Sequence, residues 1–140
     1  MNRTTTRMMI AAAVLTVVTG IASAETLEAK IPFAFHFGDK MYSAGTYRVS
    51  VQGPHNVIRL ADADTGHAAI ALGMAINWPS SDLRAAGDPV LTFECGLGRC
   101  QMTQIWAGYG QPTVQLPRPR FGRDEVATLR VINMSRVNGD

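Results

Sequence analysis

The chain has 140 residues, 13 of them basic and 11 acidic, for a formal net charge of +2, with two cysteines and 7% aromatic residues. This is the composition of a folded protein: it excludes a disordered tail or low-complexity array, and the length suits one domain with one core. Two of the basic residues, Arg3 and Arg7, lie in an N-terminal segment expected to be removed, so residues 25–140 balance to zero and give no reason to expect a nucleic-acid partner.

That N-terminal segment, MNRTTTRMMIAAAVLTVVTGIASAE, has a basic start, an apolar run from Met8 to Ile21 and an A-x-A end at Ala22 and Ala24. These are the three parts of a secretory signal peptide. A bilayer-spanning helix needs about 20 apolar residues, so the run is short for an anchor. Cleavage after Ala24 is expected, which leaves residues 25–140 as a single exported domain, periplasmic or extracellular.

In KIPFAFHFGDK the large side chains Ile31, Phe33, Phe35 and Phe37 alternate with smaller or polar ones, placing all four on one face of a strand. His36 falls on the opposite face, where a solvated or hydrogen-bonded imidazole is expected. Gly38-Asp39 reads as a turn. TYRVSVQ puts Tyr47, Val49 and Val51 on a buried face against Arg48, Ser50 and Gln52, and VIRLAD follows after the Gly53–Asn56 break. DADTG at 62–66 is a further turn, whose carboxylates are read as solvated, with too few oxygen ligands for calcium unless other loops contribute. Turns at this spacing suit an all-β domain.

AAIALGMAIN alternates Ile70, Leu72, Met74 and Ile76 with Ala69, Ala71, Gly73 and Ala75. It is read as a central strand with the large residues in the core and the small face packed closely against a neighbour, a helix being the alternative. Trp78–Asp88 is a loop with one helical turn at 81–85, capped by Ser80 or Ser81. Trp78, Trp106 and Tyr109 fall near strand ends, where aromatics either line a binding mouth or close a core. TVQLP reads as a short edge strand. Residues 124–134 fit a strand and a helix almost equally, and the strand is preferred.

Cys95 and Cys100 lie in ECGLGRCQ. If VLTFEC and CQMTQIW form a hairpin about the loop Gly96–Arg99, Cys95 faces Cys100. The outer pairs are then Glu94 with Gln101, Phe93 with Met102, Thr92 with Thr103, Leu91 with Gln104 and Val90 with Ile105, of which Leu91 with Gln104 is the weak one. Opposed cysteines in an exported protein are expected to form a disulfide. The alternative is a reactive dithiol in which Arg99 lowers the Cys100 pKa, although C-x4-C at a strand turn lacks the spacing and helix start of a redox motif. His36, His55 and His67 have no metal-ligand spacing, and no metal site or cofactor is expected.

Hydrolase, metalloprotease, phosphate-loop and dinucleotide motifs are absent, and no catalytic residue is assigned. Arg118, Arg120 and Arg123 form the one basic cluster. It is a candidate contact for phosphates or carboxylates, or else an exposed connector neutralised by Asp124 and Glu125.

IPFAFHFGDKMYSAGTYRV resembles the start of the mature part in a group of small exported bacterial proteins: an I-P-F-x-F strand, a glycine turn and A-G-T-Y-R-V. FECGLGRCQMTQIW resembles that group's second hairpin and QLPRPRFGRDE its following basic segment. The resemblance implies a β-rich exported domain and brings no assigned activity. It also implies that Cys95 and Cys100 are a local addition, because the group's hairpin turn commonly carries polar or aromatic residues.

The expected architecture is therefore one antiparallel all-β domain, a small barrel or two-sheet sandwich of about seven or eight strands. The expected function is a non-catalytic module binding an envelope component or protein partner. A carrier of a small apolar ligand is the alternative and requires an interior not filled by Phe33, Phe35, Phe37, Ile70 and Leu72.

Overall fold

A computed structural model describes residues 25–108, 110–118 and 126–137. The expected signal peptide lies outside the described residues, as do Tyr109, Arg120 and Arg123. The chain is all-β, with eleven strands and one short helix: β1 (Leu27–Ile31), β2 (Phe35–Phe37), β3 (Lys40–Tyr42), β4 (Gly45–Gln52), β5 (Val57–Asp62), β6 (Ala68–Leu72), β7 (Ala75–Asn77), α1 (Ser81–Ala86), β8 (Val90–Gly96), β9 (Arg99–Trp106), β10 (Thr113–Gln115) and β11 (Thr128–Arg136). Eleven rather than seven or eight results from two splits and one unforeseen strand. Pro32 cannot donate to a ladder and divides β1 from β2, the Gly73-Met74 link divides β6 from β7, and β3 is too short to carry a pattern of its own.

The strands form one curled sheet, a half-barrel, in the order β3-β2-β9-β8-β11-β1-β4-β5-β6. All pairings are antiparallel except β2 with β9, where His36 faces Gln101 in parallel, so the sheet is mixed. Strand β11 joins the two halves: Thr128–Asn133 pair with β8 and Met134–Arg136 with β1. The preference for a C-terminal strand holds.

The two ends of this path, β3 and β6, approach one another. Beyond Leu72 the chain runs through Gly73-Met74 into β7, which pairs with β10, and β10 pairs with Gln104–Trp106 of β9. The gap between the sheet's ends is thus zipped on one side and open on the other. This makes β10 an interior strand, with Thr113 and Val114 buried, and corrects the reading of TVQLP as an edge. The zip needs a glycine. A Cβ on Gly73 would come within 2.3 Å of Val114 Cγ1 and 3.1 Å of Asn56 Cβ.

The core fills the concave side. Phe35, Ile58, Leu91, Phe93 and Met102 are fully buried, with Ile31, Phe37, Tyr47 and Val49 beside them. Each such side chain contributes about 1.5–3 kcal/mol by burial. Phe35 anchors an aromatic cluster, in edge contact with Tyr47 and Phe93 at 5.1 and 5.5 Å and stacked on Tyr42 at 5.6 Å.

The β8–β9 hairpin pairs Cys95 with Cys100, Glu94 with Gln101 and Phe93 with Met102, as expected. Its loop is shorter than expected, because Gly96 pairs with Arg99 and only Leu97-Gly98 turn, both with positive φ, 49° and 74°. Beyond Phe93 the register shifts by a β-bulge that leaves Thr103 as an extra residue. Thr92 therefore faces Gln104, Leu91 faces Ile105 and Val90 faces Trp106, in place of the three outer pairs expected from symmetry. The bulge removes the mismatch of Leu91 with Gln104 and puts an apolar pair inside. Thr103 is held by its hydroxyl donating to the Thr92 carbonyl at 3.3 Å and by the Leu116 amide donating to its own carbonyl at 2.8 Å.

The largest correction concerns β6. Ala69 and Ala71 pair with buried Leu60 and Ile58 and face the core, whereas Ile70 and Leu72 pair with Arg59 and Val57 on the outside, 69% and 65% exposed. Met74, Ile76 and Trp78 are also exposed. The small residues, not the large ones, are inside because Phe35, Phe37 and Tyr42 already fill that part of the half-barrel. The expected helical turn is present as α1, with the Arg84 amide donating to the Ser80 carbonyl at 3.0 Å.

Candidate functional site

The open side of the gap is a groove of about 780 Å³. One wall is the β2–β3 hairpin, through Phe37, Asp39, Lys40 and Tyr42; the other is the whole of β6, and Leu116 and Pro117 lie at the zipped side. Five consecutive residues of β6 line it, both faces included, which requires the strand to present its edge to the groove. Among the described residues β6 pairs only with β5, and β3 only with β2. Among the described residues both walls are therefore unpaired sheet edges.

The direction of the free groups on β6 follows from its neighbours. Alternate residues of an antiparallel strand direct their N–H and C=O to the same side. The Gly73 amide donates to Asn56 next to β5, and the Met74 amide donates to Gln115 of β10 on the other side. Odd-numbered residues thus serve β5, and Ala68, Ile70 and Leu72 turn their N–H and C=O toward the groove. The hairpin wall is stiffened from below by the Phe35, Tyr42 and Tyr47 rings. The Tyr47 hydroxyl donates to the Ser43 carbonyl at 2.6 Å, and burial pushes its pKa above the ordinary tyrosine value, against the lowering by that bond.

Two smaller depressions flank other elements. One, about 540 Å³, lies between exposed Trp78, Arg84 of α1, and Trp106. Of the aromatics read as closing a core or lining a mouth, Trp106 does the first, 1% exposed with its indole N–H donating to the Gln111 carbonyl at 2.8 Å. Trp78 stands open at 76% exposure. The other depression, about 480 Å³, lies beside the hairpin tip and is lined by Phe33, Leu97, Arg99 and Arg130, with the Arg130 guanidinium 5.0 Å from the centre of the Phe33 ring.

The cysteines are opposed as expected, at disulfide distance with Cα atoms 4.0 Å apart. They are not among the groove's lining residues. Arg118 is paired with Glu94 at 3.5 Å, so its countercharge comes from β8. Asp62 is not simply solvated: its carboxylate accepts from the amides of Asp64 at 2.8 Å and Thr65 at 3.3 Å, closing the β5–β6 turn. His36 differs from its expectation too, since its Nε2 is buried without a hydrogen-bond partner. Among the described residues no group of three or more His, Cys, Asp or Glu is placed to hold a metal ion, and no helix is long and apolar enough to cross a membrane.

Sequence reasoning missed the groove because it is made by the two ends of a nine-strand path. The available signal was the all-apolar AAIAL stretch: a strand with no charged residue and no proline is an edge left unprotected if it is not central. No protein-family model, curated protein or solved structure matches the chain.

Proposed function

We propose that the chain is an exported, non-catalytic binding domain that engages a protein partner through the groove between β3 and β6. The observation that carries this reading is the pair of edges, unpaired among the described residues, that face one another across an open groove, the β6 edge being wholly apolar. Contiguous exposed apolar surface on a small domain marks an interaction site. A carrier of a small apolar ligand has less support, because the side chains that would line such a cavity, Phe35, Phe93, Leu91 and Ile58, are packed at 0% exposure. Export is supported by the leader-like N-terminus and by the opposed cysteines, which suit an oxidising compartment.

The test is site-specific photo-cross-linking in the producing cell. A cross-linker at Leu72, in the groove, is expected to give one discrete protein adduct that a cross-linker at exposed Leu97, at the β8–β9 tip on the other sheet half, does not. Equal or absent adducts from both positions would remove the reading. Native mass spectrometry of the same preparation reports cleavage before Glu25 and the two-hydrogen loss of the disulfide. A retained apolar molecule in that spectrum would favour the carrier instead.

A further inference from the structure

We infer that the groove takes an extended, uncharged segment of a partner protein as an added β-strand, hydrogen-bonded to the edge of β6. This rests on the groove being the binding site and specifies how it binds.

Three observations converge on a strand as the occupant. The first is the free backbone: Ala68, Ile70 and Leu72 direct donors and acceptors into the groove, and these are the groups an added strand satisfies. The second is extent. All five residues of β6 line the groove, so an extended segment of the same length, ~17 Å, has the whole edge to run along. The third is chemistry: β6 carries only alanine, isoleucine and leucine, with His67 just before it, and the two charged lining residues, Asp39 and Lys40 on the opposite wall, carry opposite formal charges, so the groove offers no net charge to pair one in the incoming segment. A natural edge is ordinarily blunted by lysine, proline or a bulge, and β6 has none of these.

A second copy of this chain fits less well. Its β6 would arrive with β5 hydrogen-bonded behind it, and the β2–β3 hairpin already forms the opposite wall of the groove. A single extended segment has no such companion.

The probe is a seven-residue peptide of alternating valine and threonine, acetylated and amidated at its ends, titrated into the intact mature protein and followed by NMR hydrogen exchange. Exchange at Ala68, Ile70 and Leu72 is expected to slow at least tenfold at saturation, while Ala69 and Ala71, already bonded to β5, change little. The same peptide N-methylated at alternate residues keeps its side chains and loses ladder donors, and should bind at least tenfold more weakly. Ile70→Pro removes a groove-facing N–H without touching the β5 ladder and should abolish the protection.

Equal affinity for the methylated peptide, or perturbation of groove methyl groups without amide protection, would overturn strand addition while leaving the groove a binding site. Perturbation centred on Trp78 instead, or none at millimolar peptide, would overturn the inference, the former together with the groove reading. A concentration-dependent dimer of the unmodified protein that Ile70→Pro dissolves would make a second copy the occupant and overturn the assignment to a partner protein.

Discussion

The β8–β9 hairpin and the segment that runs from β6 into β7 are both built on alternate large and small residues, yet they meet the core in opposite ways. In the hairpin the face carrying Phe93 and Met102 is fully buried. In β6 Ala69 and Ala71 face inward and Ile70 and Leu72 face out. The difference lies in what opposes the large residues. The hairpin's other face carries polar Glu94 and Gln101, both half-buried, whereas neither face of β6 is polar, so its orientation is decided by room in the core rather than by preference for water.

The largest test of this contrast pairs one residue from each region. Phe93→Ala removes a ring in edge contact with Phe33 and Phe35 and should cost about 3–5 kcal/mol in urea unfolding. Ile70→Ala, 69% exposed, should change stability by about 0.5 kcal/mol or less. A large loss at Ile70 would mean that β6 buries its large face after all.

A second test addresses the place where β6 becomes β7. Gly73→Ala forces a methyl to within 2.3 Å of Val114 and should cost about 1–3 kcal/mol, with faster exchange at the Met74 amide as the β7–β10 zip loosens. An unchanged Met74 amide would show that the sheet ends are held together by something other than this crossing.

What was legible in the chain follows the same division. Local alternation identified the inward residues of β2, β4 and β5, and the Cys95–Cys100 register carried correctly as far as Phe93. Symmetry could not supply the bulge at Thr103, because a bulge answers to the partner outside the hairpin: the Thr103 carbonyl accepts from Leu116. The groove was illegible for the related reason that it depends on where β3 and β6 end in space, 26 or more residues apart in the chain. Of the named candidate residues, the cysteines were placed by local pairing, while the Arg118–Glu94 pair was not foreseen because Glu94 is its neighbour only through the fold; Asp124 and Glu125, read as its countercharge, lie outside the described residues.

Returning to the hairpin, its staple closes a very short loop. Cys95→Ser with Cys100→Ser should lower stability by about 2 kcal/mol or less, since little chain entropy is removed by so small a ring. The domain should stay folded, with cross-strand NOEs between Phe93 and Met102 retained. Loss of those contacts would mean that the cysteines determine the register and do not merely lock it.

The smallest effect is expected at the turn itself, where the hairpin and β6 again differ. Leu97 holds a left-handed backbone, φ 49°, that costs a branched residue about 1–2 kcal/mol, and its side chain is 79% exposed, so it gains little from packing. Asparagine tolerates that conformation and is favoured at the first position of a two-residue turn with both φ values positive. Leu97→Asn should therefore raise stability by about 1 kcal/mol, read as a higher urea midpoint with an unchanged slope. A lower midpoint would show that the Leu97 side chain packs into the depression beside Phe33 and Arg130. The tip would then be a closed end of the fold, in contrast to the open edge at β6.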